Sequence, residues 1–287
     1  MRSRTLLIGA AALATTLAAP GPARAQESLV ASPPPPKIVE HPPDDLPRLD
    51  ERTAYTIGAR RLKLGILAFD YGLTERISIG TDPTPWLVRA FRPVLIPNLH
   101  LKVLAFERGP LAVGLNGAAY FAFLGGETPG KLITIPLSLF PSIRVAPRIW
   151  LHLEATYVFA RLYGTGNTDD ADLNGAVAAR TAQTAAMLEV RVTRIVSLIA
   201  LGRYQFYSGP LVFGGSSVLD PSTTVRVDGE MRPRVERPWE AVVGVAVLWP
   251  HVRLSVGAGY GYYFLPGMDI AIPERRFIPD ASLAVIL

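Results

Sequence analysis

WEAVVGVAVLWPHVRLSVGAGYGYYF, residues 239–264, is the stretch from which the fold can be inferred. In its first arm every second residue from Trp239 to Trp249 is apolar, whereas the residues between them include Glu240. Residues 250–251 predict a turn, and the alternation resumes beyond them. The apolar face of the second arm comprises Val252, Leu254, Val256, Ala258, Tyr260 and Tyr262, opposite Arg253, Ser255 and three glycines. A period of two residues with different chemistry on its two faces is that of a β-strand.

An apolar face with aromatic residues at its ends, opposite a small or polar face, is typical of a strand in a transmembrane β-barrel. We therefore predict an all-β fold, an antiparallel up-and-down barrel in the outer membrane. The competing architecture is a soluble lipocalin-like barrel, which would turn its apolar face inward and its charged face outward. The two architectures predict opposite exposure for the same residues.

Alternating segments recur along the rest of the chain, and short turns alternate with long connections, as in bacterial barrels. The predicted strands are 61–71, 76–81, 99–105, 111–123, 133–145, 149–163, 182–192, 196–206, 239–249, 252–264 and 277–287. The long connections are 82–97, 124–131, 164–180, 207–238 and 265–276.

These eleven segments require a twelfth if the chain enters from the side of the short turns. Residues 53–57, followed by a tight connection at 58–60, are the candidate, which predicts about 12 strands. Ten strands is the alternative, with either this first strand or the segment 131–145 miscounted. Pro136 and Pro141 in that segment each lack a backbone donor, which predicts bulges or a weak seam.

The N-terminus has the features of a secretory signal peptide in residues 1–25. Arg2 and Arg4 precede an apolar run over residues 6–17, and Ala23-Arg24-Ala25 is an A-x-A cleavage site. The formal net charge of +5 falls to +2 when the signal is removed, so the charge gives no reason to expect a nucleic-acid partner. The chain has no cysteine, which excludes a lipoprotein anchor and disulfides.

Residues 26–51 are rich in proline and acidic residues, and we assign them to a disordered periplasmic leader that precedes a barrel over residues 52–287. A periplasmic tether and a ligand for a proline-binding partner are functional alternatives for this leader. After the signal peptide, no apolar run reaches the length of a transmembrane helix.

A family resemblance rests on the run YGLTERISIG at residues 71–80, on Asp82-Pro83 and on PNLHLK at residues 97–102. These segments resemble the early hairpin of uncharacterised Gram-negative outer-membrane β-barrel proteins. The resemblance implies a porin-like barrel in the outer membrane, in contact with lipid and lipopolysaccharide and inserted by the barrel-assembly machinery. The chain departs from the family pattern at its end, Ala284-Val285-Ile286-Leu287, which lacks the terminal aromatic residue that this machinery recognises.

The polar residues of the predicted strands fall on the face that lines the bore of a membrane barrel. Twelve of them are candidates for lining a pore: Lys63, His100, Lys102, Arg144, His152, Glu154, Glu189, Arg191, Arg203, Gln205, Glu240 and Arg253. Arg61, Asn116 and Asp280 share this face. Cations outnumber acids here, which predicts a basic-leaning lumen.

Three functions are compatible with this pattern. The first is a passive pore for small solutes, and the second is a closed structural or surface-interaction barrel in which the interior charges pair. The third is a lipid hydrolase in which His152 and Glu154 form an acid/base pair, although the chain lacks a G-x-S-x-G nucleophile motif. We expect no enzymatic activity and no cofactor.

Two connections carry further candidates. Asp170, Asp172, Asn174 and Gly175 match the first half of a calcium loop, but Thr181 stands where a bidentate glutamate is needed. In the loop 208–237, residues 225–230 are predicted either to extend as a hairpin above the membrane or to fold inward as a constriction. The arginines of this loop favour contact with lipopolysaccharide phosphates or a solvated face.

Overall fold

The computed structural model describes residues 49–83, 97–124, 130–168, 171–220, 223–231 and 237–287. The predicted signal peptide and all but the last three residues of the predicted leader lie outside the described residues. Fourteen strands are present in this part of the chain. They are β1 (Leu62–Gly65), β2 (Phe69–Thr74), β3 (Ile77–Thr81), β4 (Asn98–Arg108), β5 (Leu111–Leu124), β6 (Gly130–Ala146), β7 (Ile149–Thr168), β8 (Ala171–Arg191), β9 (Val196–Ser208), β10 (Leu211–Asp220), β11 (Thr223–Met231), β12 (Trp239–Leu248), β13 (Val252–Phe264) and β14 (Ala271–Ile286).

Twelve of these strands form a closed antiparallel barrel, which confirms the predicted fold and strand number. The barrel closes where β1 pairs with β14, with Lys63 opposite Ile286. β9 pairs with β12, so β10 and β11 lie outside the cylinder as a hairpin that pairs with the first half of β8. Within the described residues, no helix is long and apolar enough to cross a bilayer.

The twelfth strand does not come from the predicted segment. Residues 53–57 form no strand, and they are buried inside the barrel. The predicted strand 61–71 is instead two strands, because the chain turns back between Gly65 and Ala68, where the Gly65 amide donates to the Ala68 carbonyl (3.0 Å). Apolar residues continue through this turn, so the turn could not be recognised from the hydrophobic alternation.

The outer wall is apolar, as expected for a surface in contact with lipid. Leu99, Leu101 and Val243 are among its exposed side chains. Trp239 and Tyr260, with ring centroids 6.2 Å apart, are exposed near the end of the long loops. Tyr262, assigned to the lipid face, is buried instead because Gly261 adopts a φ of 137° and the β13–β14 register shifts just beyond it.

The two prolines of β6 interrupt its ladders without forming bulges. The β5–β6 pairing skips from Leu137 to Thr134 around Pro136, and the β6–β7 pairing skips from Leu139 to Ser142 around Pro141. The register is unchanged across both gaps. The prolines therefore produce weak seams, the second of the two predicted outcomes.

The strands β7 and β8 are longer than the sequence predicts. Most of the predicted loop 164–180 continues these two strands, and β10–β11 extends as a hairpin beside them, the first of the two alternatives for residues 225–230. Asp172, Asn174 and Gly175 lie within β8 and pair with β7, so these residues do not form a calcium loop. Asp170 lies outside the described residues.

Candidate functional site

The bore contains the twelve polar residues that the alternation assigned to it. Nine are buried: Lys63, His100, His152, Glu154, Glu189, Arg203, Gln205, Glu240 and Arg253. Lys102, Arg144 and Arg191 are partly buried, and the two arginines lie over the ring of Trp150 at 5.6 and 5.7 Å. Of the other three, Asn116 is partly buried, whereas Arg61 and Asp280 are exposed.

The bore also contains a stretch of chain from just before β1, residues 49–57, which we call the plug segment. Thr53 and Ala54 in its middle are fully buried, and Tyr55 packs edge-on against Trp150 with ring centroids 6.0 Å apart. Its backbone lies so close to Gly114 of β5 that a Cβ at that position would overlap with Ala54. Glycine at 114 is thus required for the wall to accommodate the plug segment.

Asp50 is the main anchor of the plug segment. Its carboxylate accepts hydrogen bonds from Lys63 Nζ (2.9 Å) and from Arg253 Nη1, and its backbone carbonyl accepts one from Lys102. Burial disfavours the charged carboxylate, but Arg253, Lys63 and Lys102 outweigh this effect and lower the pKa of Asp50 below its ordinary value of 3.8. These cations come from β1, β4 and β13, so one aspartate connects three strands of the wall. We call this group the Asp50 cluster.

Arg203 on β9 forms a second cluster of opposite composition. Its guanidinium lies 2.9 Å from Asp269, 3.4 Å from Glu240 and 3.7 Å from Glu154, and it stacks over the ring of Phe264 at 4.8 Å. Asp269 belongs to the loop 265–270. Burial raises the pKa of Asp269 to about 6, although Arg203 opposes the shift. We call this group the Arg203 cluster.

A third group connects the start of the loop 82–97 to the bore. His100 Nε2 is 2.5 Å from the Asp70 carboxylate, and its Nδ1 is 3.4 Å from Asp82. Tyr120 donates its hydroxyl to Asp82. A Cβ at Gly80 would overlap with Asp70 and His100, so this contact depends on a glycine in β3.

A fourth group lies nearer the short turns and has the composition of a hydrolase triad. His152 Nδ1 is 2.8 Å from Ser142 Oγ, and His152 Nε2 is 3.3 Å from Glu189. Ser142 is fully buried, and its oxygen also accepts the Ala54 amide of the plug segment (2.9 Å). The predicted partner of His152, Glu154, is bonded to Thr156 instead (2.8 Å). Because the plug segment covers the serine, this group has no open face for a substrate.

A cavity of about 250 Å³ remains between the plug segment and the loop 265–270. Its lining includes eight acidic residues, Asp50, Glu51, Asp70, Asp82, Glu154, Glu240, Asp269 and Asp280. Four Lys or Arg residues oppose them, Arg52, Lys63, Lys102 and Arg203, together with His100. The cavity is therefore acidic, and the predicted basic-leaning lumen is wrong for this part of the bore.

The acids that reverse this balance are those that the pattern could not place. Asp50 and Glu51 were assigned to the leader, and Asp82 and Asp269 lie in connections, where no alternation indicates a face. Asp70 is absent from the predicted bore residues because the turn at residues 65–68 changes the phase of the alternation. In the described part of the chain, no group of three or more His, Asp or Glu residues is arranged to hold a metal ion.

Comparison with known proteins bears on the architecture. No protein-family model and no curated protein matches the sequence. The translocator domain of the autotransporter NalP from Neisseria meningitidis is 10% identical, over 79% of this chain and 84% of that one, with a TM-score of 0.43. The P. putida toluene transporter TodX is 12% identical, over 78% of this chain and 65% of that one, with a TM-score of 0.43.

The architecture is established by the chain's own strand pairing, a closed antiparallel barrel of twelve strands. Similarity at this level concerns the fold alone, and the resemblance of residues 71–102 to one family stays a prediction. In this barrel a plug segment is held by buried charges beside a small acidic cavity.

Proposed function

We propose that the protein is an outer-membrane channel for small solutes, exported through a cleaved signal peptide, whose bore is closed by its own plug segment. The observation that carries the proposal is the Asp50 cluster, in which a carboxylate of the plug segment is bound by cations of the barrel wall. We further propose that the barrel has no enzymatic activity and that it is inserted by the barrel-assembly machinery.

The interior is suited to water rather than to a dry core. Buried charges in a barrel must pair or be hydrated, since an isolated charge in an apolar surrounding is costly. Among the described residues, both amide atoms of Gln183 and the Asn116 oxygen are buried without a hydrogen-bond partner. Such groups need ordered water, which supports a hydrated bore.

The acidic cavity favours cations over anions. If the plug segment leaves, Asp50, Glu51 and Arg52 leave with it, and the remaining lining still has six acids against three Lys or Arg residues and His100. In place of the basic-leaning lumen that the strand residues predicted, we therefore propose a preference for cationic solutes.

Single-channel recording in planar bilayers tests the proposal. Asp50→Asn keeps the shape of the side chain but removes the carboxylate that pairs with Arg253 and Lys63, and breaking a buried pair costs about 3–5 kcal/mol. Openings should therefore be about 10²-fold more frequent than in the wild type. Glu51→Gln is the matched control, since Glu51 is partly exposed and contacts only Lys63 of these cations (2.8 Å). It should leave the opening frequency nearly unchanged.

A crosslinked variant separates plug release from misfolding. Ala54 N lies 2.9 Å from Ser142 Oγ, and the chain has no cysteine of its own. With Ala54→Cys and Ser142→Cys added to Asp50→Asn, oxidation should silence the channel, and a reductant should restore the openings. Folding of each variant is verified by heat-modifiable migration on gels.

The alternative is a permanently closed structural barrel, which the number of ion pairs in the bore favours. Folded Asp50→Asn protein that is as silent as the wild type would overturn the channel and support this alternative. Anion-selective openings in a salt gradient would overturn the cation preference alone.

A further inference from the structure

The outer face of the extended sheet presents two arginines beyond the end of the barrel wall. This sheet consists of the first half of β8, the second half of β7 and the hairpin β10–β11. Tyr157 and Tyr207, both exposed, lie opposite Ala182 on its lipid-facing side. Directly opposite residues of antiparallel strands point to the same face, so Arg180 and Arg161, two and four residues further along, continue this face.

The position of the arginines along the barrel axis matches the lipid headgroups. Arg161 is twelve residues beyond Ile149, where β7 begins at a short turn. At about 3.3 Å per residue and a tilt of about 40°, this separation is roughly 30 Å along the axis. The apolar band of an outer-membrane barrel is about 25 Å tall and ends at a girdle of aromatic residues. Arg161 therefore lies just outside the hydrocarbon, above the tyrosines.

Neither arginine is neutralised by the protein. Arg161 and Arg180 are exposed, and among the residues that the structure describes no carboxylate lies within ion-pair distance of either. Arg161 is opposite Ala178 and Arg180 is opposite Phe159, so the two are diagonal neighbours on adjacent strands, about 7–8 Å apart at their backbones. The Arg161 guanidinium stacks over the ring of Tyr163 at 4.7 Å, which fixes its plane and leaves its edge free.

The acids on the same face do not cancel this charge. Arg161, Arg180, Asp228 and Glu230 share an open groove of about 1280 Å³. Asp228 is paired with Arg226 at 2.7 Å, and Glu230 lies three strands from Arg161, roughly 14 Å away.

We propose that Arg161 and Arg180 bind the phosphate groups of an acylated, phosphorylated outer-leaflet lipid of the lipopolysaccharide type. Two guanidinium groups with free edges can each bind phosphate oxygens in a bidentate manner. The acyl chains of the same lipid lie along the apolar wall below, past Tyr157 and Tyr207. The site requires insertion in the outer membrane, but it does not depend on whether the bore opens.

Native mass spectrometry of the detergent-solubilised full-length protein tests the site. The probes are lipid A with both phosphates and the same lipid with its phosphates removed. The double variant Arg161→Gln and Arg180→Gln should bind the phosphorylated probe at least about 10-fold more weakly, since charge-assisted hydrogen bonds are lost. Its binding of the dephosphorylated probe should be unchanged. Because the readout is binding rather than conductance, failure here is distinct from failure of the channel.

Arg194→Gln is the matched control. This exposed arginine lies in the turn between β8 and β9, at the end of the barrel away from the extended sheet. Its replacement removes the same kind of charge and should leave both affinities unchanged. Equal binding of the two probes to the wild type, or an equal loss in Arg194→Gln, would overturn the proposed site.

Discussion

The two ion clusters of the bore have opposite compositions. In the Asp50 cluster one aspartate binds three cations, two through its carboxylate and one through its backbone carbonyl, whereas in the Arg203 cluster one guanidinium serves three carboxylates. The first joins the plug segment to the wall, and the second joins the wall to the loop 265–270. The difference teaches which contact responds to protons, because neighbouring cations lower the pKa of Asp50 despite its burial, whereas burial raises the pKa of Asp269 to about 6.

The largest effect is expected from Asp50→Asn. The Arg253 guanidinium stays charged between pH 5 and pH 8, so the penalty of about 3–5 kcal/mol should be similar at both pH values and should be relieved only by release of the plug segment. Trypsin cleavage after Arg52 measures that release, and we expect it to accelerate about 10²-fold. The product is identified by mass as a fragment that begins at Thr53. A rate like that of Glu51→Gln would contradict the role given to Asp50.

The second-largest effect is expected from Arg203→Leu. A low pH should reduce the loss of stability that this substitution causes. Removing Arg203 takes away the cation that opposes the rise in the pKa of Asp269, whereas Glu240 keeps Arg52 at 3.4 Å. A carboxylate with a raised folded pKa destabilises the protein above that pKa and ceases to do so below it. We expect a loss of about 3 kcal/mol at pH 8, or roughly 6–12 °C in Tm, and a clearly smaller loss at pH 5.

The control for this comparison is Arg276→Leu, which removes an exposed arginine that pairs with Glu274 at 3.7 Å. It should change Tm little at either pH. An Arg203→Leu defect of the same size at pH 5 and pH 8 would contradict the role given to Asp269.

A smaller effect is expected from Gly80→Ala, which disturbs the residues next to the Asp50 cluster. The added Cβ would overlap with Asp70 and His100, and Asp70 also lies 3.7 Å from Lys63 of the Asp50 cluster. We expect a loss of about 2 kcal/mol in the free energy of unfolding, typical of overpacking. Gly202→Ala is the control, because a Cβ at Gly202 meets no atom within 4 Å. Equal stability of the two variants in urea would exclude this contact as a constraint.

The smallest effect concerns ion selectivity. Since the pKa of Asp269 is raised to about 6, the cavity should lose negative charge as the pH falls from 7 to 5. In the Asp50→Asn channel, the ratio of cation to anion permeability should then fall about twofold, as measured from reversal potentials. Asp269→Asn should remove most of this pH dependence. If the permeability ratio of the Asp50→Asn channel does not change with pH, the pH dependence assigned to Asp269 is refuted.

The strands could be predicted because each faces two different environments. Lys63, His152, Glu189 and Arg203 all fall on the inward register, as the alternation requires. The count of twelve was also correct, although it rested on the wrong segment. Residues 53–57 of the plug segment were counted as the twelfth strand, whereas the additional strand arises because the turn at residues 65–68 divides the predicted strand 61–71 into β1 and β2. Two errors in the same region compensated in number but not in position.

The chemistry of the bore could not be predicted in the same way. Alternation assigns faces only to regular strands, so Asp50 and Asp269 had no assigned face, and Asp70, which follows the turn at residues 65–68, was not identified as a bore residue. The partner of His152 illustrates the same limit, because its contacts with Ser142 and Glu189 run across strands whose register the sequence does not give. The sign of the cavity charge depends on these residues.

Lys63 has a consequence for the order in which the molecule is built. It sits in the shortest strand, opposite Ile286 at the junction of the first and last strands, and its ammonium is bonded to Asp50. With the preceding chain outside the bore, that ammonium would lose Asp50 and Glu51 and keep Asp70, at 3.7 Å, as its carboxylate partner. Filling of the bore therefore stabilises the junction at which the circle is completed.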